Sequence, residues 1–181
     1  MKKKLLQITE TAVMLALLIT LQAITKPMGQ IVTGTCVNTV LAVTALFSGL
    51  GSGLTVALIS PVLAFLLGIA PQVITVPAIM VGNAVYVLLL HFICRKDKES
   101  LPRRIIAWLS AAVAKFTVLY ALVVWVICGL LLHPLMEAKL LKAPMLKALP
   151  VTFSWPQLIT ALLGGGIALL IAPLLRKALK R

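Results

Sequence analysis

The stretch "PMGQIVTGTCVNTVLAVTALFSGLGSGLTVALISPVLAFLLGIAPQVITVPAIMVGNAVYVLLLHFIC" (27–94) contains no Lys, Arg, Asp or Glu. At about 1.5 Å per residue it makes roughly 100 Å of helix, enough for three crossings of a hydrocarbon core about 30 Å thick. A spanning segment must satisfy its own backbone hydrogen bonds, which leaves helices or a closed barrel. The apolar residues form long unbroken runs with no period-two alternation, so helices fit. Two breaks divide the stretch: "SGLGSG" (48–53) and "GIAPQ" (68–72) carry turn chemistry. They predict a second span near 36–47, a third near 54–67 and a fourth near 74–93. The second is short for a crossing and is expected to begin in, or partly replace, the loop before it.

Outside this stretch the pattern continues, with a first span near 6–24, a fifth near 105–132 and a sixth near 155–175. The chain has 181 residues, 61% hydrophobic and only 12% charged, more apolar surface than a water-soluble domain of this length can hide. The expectation is an all-α integral membrane protein of six transmembrane helices, one domain over 1–181, without internal repeat or low-complexity tract. "MKKKLLQITE" (1–10) resembles the start of a signal peptide, but Glu10 interrupts the apolar stretch and no A-x-A pattern follows. It reads as a retained first helix.

The net charge of +13 raises the question of nucleic acid, and its placement answers it. Three basic residues lie at 2–4, five at 95–104 and four at 176–181, against four on the opposite side: Lys26, Lys139, Lys142 and Lys147. That asymmetry is the positive-inside signature and puts both termini in the cytoplasm, beside anionic lipid. No nucleic-acid partner is expected. Cys36, Cys94 and Cys128 show neither metal-ligand spacing nor a disulfide framework and read as packing residues. "HPLMEAKLLKAPMLKALP" (133–150) spaces Leu and Met against Lys in a roughly helical pattern. It reads either as an interfacial anchor or as a cationic cover over an outward cavity.

The four acidic residues, Glu10, Asp97, Glu99 and Glu137, all fall at helix ends or in loops. No carboxylate stands at the membrane midplane, where proton- or sodium-coupled carriers commonly need one. His91 and His133 stand alone, and no catalytic triad, paired carboxylate, zinc-protease or phosphate-loop pattern is present. These readings point away from an enzyme, a metal site or a bound cofactor, and assign any energy source to another protein.

Lys115 lies eleven residues beyond Arg104, roughly 16 Å along a helix. A lysine stem of about 6 Å does not easily regain the headgroups from there, and an unpaired ammonium in hydrocarbon costs at least about 2.5 kcal/mol. Lys115 is expected to face protein or a wet cavity, where a ligand anion would pair it; the alternative is carbonyl contacts or snorkelling from a tilted helix. Asn83 sits mid-span in "MVGNAVY" (80–86) with Tyr86 one turn deeper, and its amide demands partners from neighbouring helices or from a substrate. Asn38 opens the second span, Gln157 the sixth beside Trp155, a belt residue, and "GGG" (164–166) favours close packing. Asn38, Asn83, Tyr86, Lys115 and Gln157 are therefore the candidate substrate-binding residues of a pocket open to the outside.

Ala12, Ala16 and Thr20 recur every fourth position in "ETAVMLALLITLQ" (10–22), a smooth strip suited to another helix, in this chain or in a partner. The Ala12-x-x-x-Ala16 pair resembles the A-x-x-x-A motif that substrate-binding (S) components of energy-coupling factor (ECF) transporters present to their T component. "TGTCVNTVLAV" (33–43) and "PAIMVGNAVYV" (77–87) resemble segments of the same superfamily, and length, helix count and termini agree. The resemblance implies an S-component-like bundle in the cytoplasmic membrane of a prokaryote. It would bind a vitamin or related micronutrient without catalysis and release it inward with a T component and two ATPases. Ala12, Ala16 and Thr20 would then be partner-binding residues. No segment resembles the riboflavin, biotin or thiamine signatures, so no cargo carries over; Lys115 and the 133–150 segment favour an anion. The competing reading is a self-sufficient small carrier or channel. A lipid-linked-substrate enzyme and a ligand-free assembly subunit are further alternatives.

Overall fold

The computed structural model describes residues 2–69, 72–95 and 100–179. Asp97, Glu99, Lys96 and Lys98 of the basic loop, the centre of "GIAPQ" and the last two residues lie outside them. Among the described residues there is no strand, and six helical stretches are long and apolar enough to cross a membrane. Helix α1 spans Lys2–Thr25, α2 Gln30–Phe47, α3 Gly49–Leu66, α4 Val76–Arg95 and α5 Leu101–Tyr120. The fifth span continues as a π-helix over Ala121–Leu130. Two short helices follow, α6 (Leu132–Glu137) and α7 (Ala143–Thr152), and α8 (Trp155–Leu179) completes the bundle.

Two boundaries differ from the expectation. Helix α2 begins at Gln30, six residues before the expected 36, so it does extend into the preceding loop. The "SGLGSG" segment is not a long turn: the reversal is confined to Ser48 and Gly49, whose φ of +86° needs no Cβ. Gly51, Ser52 and Gly53 are already helical. Their smallness serves packing: a Cβ on Gly53 would stand 2.7 Å from Val87 Cγ1 and 3.4 Å from Ala45 Cα. Ser52 meets α1 directly, accepting a 2.8 Å hydrogen bond from Thr11.

The main core draws on all six spans, among them Leu18, Leu41, Val56, Ala111 and Ala168, with Tyr86 the largest side chain fully buried in it. A second core lies at the end of the bundle away from the termini. There Leu119, Val123 and Ile127 of the fifth span pack with Leu141, Leu149 and Phe153 of the covering segment. The 133–150 region is thus anchored onto the bundle by its own leucines rather than lying free in the interface.

Candidate functional site

Beneath α7 lies a cavity of about 320 Å³, within the lower range of small-molecule sites. It opens at the end of the bundle away from the termini. Its walls come from the end of α1, the first half of α2, the start of α4, the last turns of α5, α7 and the start of α8. Asn38, Asn83, Lys115 and Gln157 all line it. Four of the five candidate residues, scattered over 120 positions of sequence, are thereby brought to one chamber.

Its base is a polar relay in an apolar setting. Lys115 is only 3% exposed. Its ammonium donates to Asn38 Oδ1 at 2.5 Å and to Asn83 Oδ1 at 2.7 Å. Asn38 is oriented in turn: its Nδ2 donates to Thr160 Oγ1 at 3.2 Å, and Thr160 donates to the Gln157 carbonyl at 3.1 Å. The hydroxyl of Thr160 therefore fixes which face of the Asn38 amide meets the lysine. Both acceptors of the ammonium are neutral, so hydrogen bonding is partly met while the charge is not. Snorkelling is not the solution adopted: Lys115 points among helices.

Tyr86 does not line the chamber. It lies under it, its ring centroid 5.4 Å from Lys115 Nζ, close enough for a cation–π contact. Its hydroxyl donates to the Ala161 carbonyl at 3.2 Å, and Trp108 Nε1 donates to the next carbonyl, Leu162, at 2.9 Å. These bonds clasp α8 where Gly164 and Gly165 leave no side chain. A Cβ on Gly165 would come within 2.2 Å of Trp108 Cδ1, and one on Gly164 within 2.7 Å of the Thr35 carbonyl. The glycine run is a packing device that closes the floor of the cavity.

The covering segment contributes Ala148, Leu149, Thr152 and Phe153 to the walls. Its lysines do not contribute: Lys139, Lys142 and Lys147 are exposed. The cover is apolar on its inner face, because Leu149 and Phe153 must bury against Leu119 and Val123 and the charges turn to solvent. Sequence reasoning missed Gln22, Lys26, Gln30 and Gln72 at the rim. Lys26 Nζ donates to the Gly68 carbonyl at 2.6 Å, tying the end of α1 to that of α3. Polar residues at the ends of spans gave the signal, but interfacial residues look the same.

Ala12, Ala16 and Thr20 are exposed. The inward side of α1 is carried by Leu18, with Met14, Leu15, Ile19 and Leu21 against the core, so the small strip faces away from the bundle. Among the described residues no His, Cys, Asp and Glu side chains assemble into a group able to hold a metal ion.

The six-span bundle holds a chamber with a buried lysine at its base. The family comparison is specific: the model for the ECF transporter substrate-specific component matches residues 6–176. The chain belongs to that family, whose members are transporter subunits. Searches of curated proteins and of solved structures return no match.

Proposed function

We propose that this chain captures a small, anionic, vitamin-like micronutrient in the chamber above Lys115 and delivers it inward. The charge asymmetry of the loops supports an outward-facing chamber, and the family supports a prokaryotic cell membrane. The observation that carries the reading is Lys115: a buried ammonium at the base of a cavity, held by two neutral amides. A ligand anion supplies the missing charge, and the pairing strengthens in so dry a setting. Release against a gradient falls to a T component and two ATPases. The exposed strip of Ala12, Ala16 and Thr20 is the docking surface for the first of these, since small side chains let two helix backbones approach closely.

The test is a screen of water-soluble vitamins against the purified full-length chain, by thermal shift and native mass spectrometry. One vitamin is expected to bind with a raised melting temperature, and Lys115→Met to weaken that binding at least about tenfold, the scale of a charge-assisted hydrogen bond. Binding that ignores Lys115→Met would return the lysine to a structural role. Double substitution of Ala12 and Ala16 by Trp should abolish co-purification with the T component.

A further inference from the structure

The base of the chamber is more selective than one positive charge requires. An ammonium carries three donors, and two of Lys115's are spent on Asn38 and Asn83. The Asn83 amide, pinned by its oxygen to the lysine, has its Nδ2 on the other side. No acceptor among the described residues takes that nitrogen, although Asn83 is 1% exposed and lines the cavity. Asn38 differs, because Thr160 consumes its nitrogen. The base thus offers one free N–H from Lys115 and one unspent amide N–H pair from Asn83, while each asparagine oxygen already accepts from the lysine. Asn83 Nδ2 is not among the sealed-in unpartnered atoms, so it stands open at the cavity, where a ligand acceptor can meet it.

We infer that Lys115 and Asn83 form a two-donor fork that recognises the carboxylate of a monocarboxylic acid, which enters acid end first. The inference rests on the anion-binding reading above and names the chemistry of the anion. Ile79, Leu119 and Phe153 line the chamber and suit a partly apolar body. Gln22, Gln30 and Gln72 at the rim can both donate and accept, and suit a neutral hydrogen-bonding far end. A carboxylate brings one charge to balance one ammonium. A phosphate monoester carries more than one, and its surplus would be buried unpaired. A primary amide can offer its one oxygen to the donors but brings no charge to balance the ammonium. The fork therefore prefers the acid over both relatives.

Three matched probes test this on the full-length chain in nanodiscs: benzoate, benzamide and phenyl phosphate, each titrated at millimolar concentration with thermal shift as the readout. Benzoate is expected to stabilise the protein, with half-saturation at least about tenfold below that of either relative. Asn83→Asp should erase the benzoate shift, because its own carboxylate then occupies Lys115, while the melting temperature without probe stays level or rises. That unliganded melting temperature separates loss of the shift from failure to fold. Asn83→Leu should also lose the shift. Equal stabilisation by benzamide, stronger stabilisation by phenyl phosphate, no shift with any probe, or a benzoate shift that survives Asn83→Asp would each overturn the fork. The two readings fail separately. A vitamin that binds through Lys115 but binds equally as its neutral amide sinks the fork and leaves the receptor; absence of any vitamin ligand sinks the receptor, whatever benzoate does.

Discussion

Helix α1 and the helices around the chamber are all apolar enough to cross a membrane, and they are packed very differently. The most hydrophobic window of the α1 span is 11% buried, against 44% for that of the α4 span, so α1 leans on the bundle where α4 is enclosed by it. Around the chamber, glycines bring backbones together: Gly82 faces Leu119, Gly34 faces Thr160, and Gly164 faces Thr35 and Asn38. On α1 the small residues Ala12, Ala16 and Thr20 approach nothing so closely and stay exposed. Small side chains permit close approach in both places. Around the chamber that approach is completed within the chain; on α1 the small strip stays exposed. On the proposed reading, one region receives the solute and the other a partner.

The contrast can be broken most severely at Gly164. Gly164→Ala forces a Cβ to 2.6 Å from Asn38 Cβ and 2.7 Å from the Thr35 carbonyl, and backbone cannot yield as a side chain tip does. A loss of about 3 kcal/mol is expected, at the top of the overpacking range, seen as a large fall in melting temperature with loss of ligand capture. Lys115→Met comes next and separates binding from stability. Anion affinity should fall by roughly 1.5–3 kcal/mol, while the unliganded protein melts no lower, because a buried unpaired charge has been removed. Thr160→Val is milder: it leaves the Asn38 Nδ2 without its acceptor, and should weaken ligand binding by about 1 kcal/mol in isothermal titration and lower stability by about 1 kcal/mol. The same Trp pair on Ala12 and Ala16 should move the stability of the isolated chain by less than about 0.5 kcal/mol and leave ligand affinity untouched. The smallest effect is expected for Lys139, Lys142 and Lys147 changed together to Gln. They are exposed and line no part of the chamber, so affinity at physiological salt should change by less than about twofold.

How much of this was legible beforehand follows from which signals are local. The uncharged run over 27–94 and the basic clusters around it reveal six spans, because hydrocarbon imposes one rule on every residue it touches. Lys115 and Asn83 stand out for the same reason: each breaks that rule. What composition hides is pairing. Nothing in the sequence links Thr160 to Asn38 across 122 positions, yet that contact decides which amide face meets the lysine. Glycine was the least readable residue. "SGLGSG" reads as a turn because Gly frees the backbone, but Gly53 serves a helix crossing. Tyr86 shows the reverse case, a polar residue at the right depth that supports the floor under Lys115 without lining the chamber. The cover over 133–150 showed its amphipathic pattern, but not that leucines would face the cavity and lysines the solvent.

The central claim is that this chain is a passive receptor, complete for capture and incomplete for transport. Proteoliposomes containing only the purified chain, supplied with the radiolabelled vitamin found in the screen, test it most directly. The predicted result is saturable retention of about one ligand per chain, lost in Lys115→Met, with no accumulation above the external concentration under any ion gradient or with ATP. Uphill accumulation by the chain alone would contradict it.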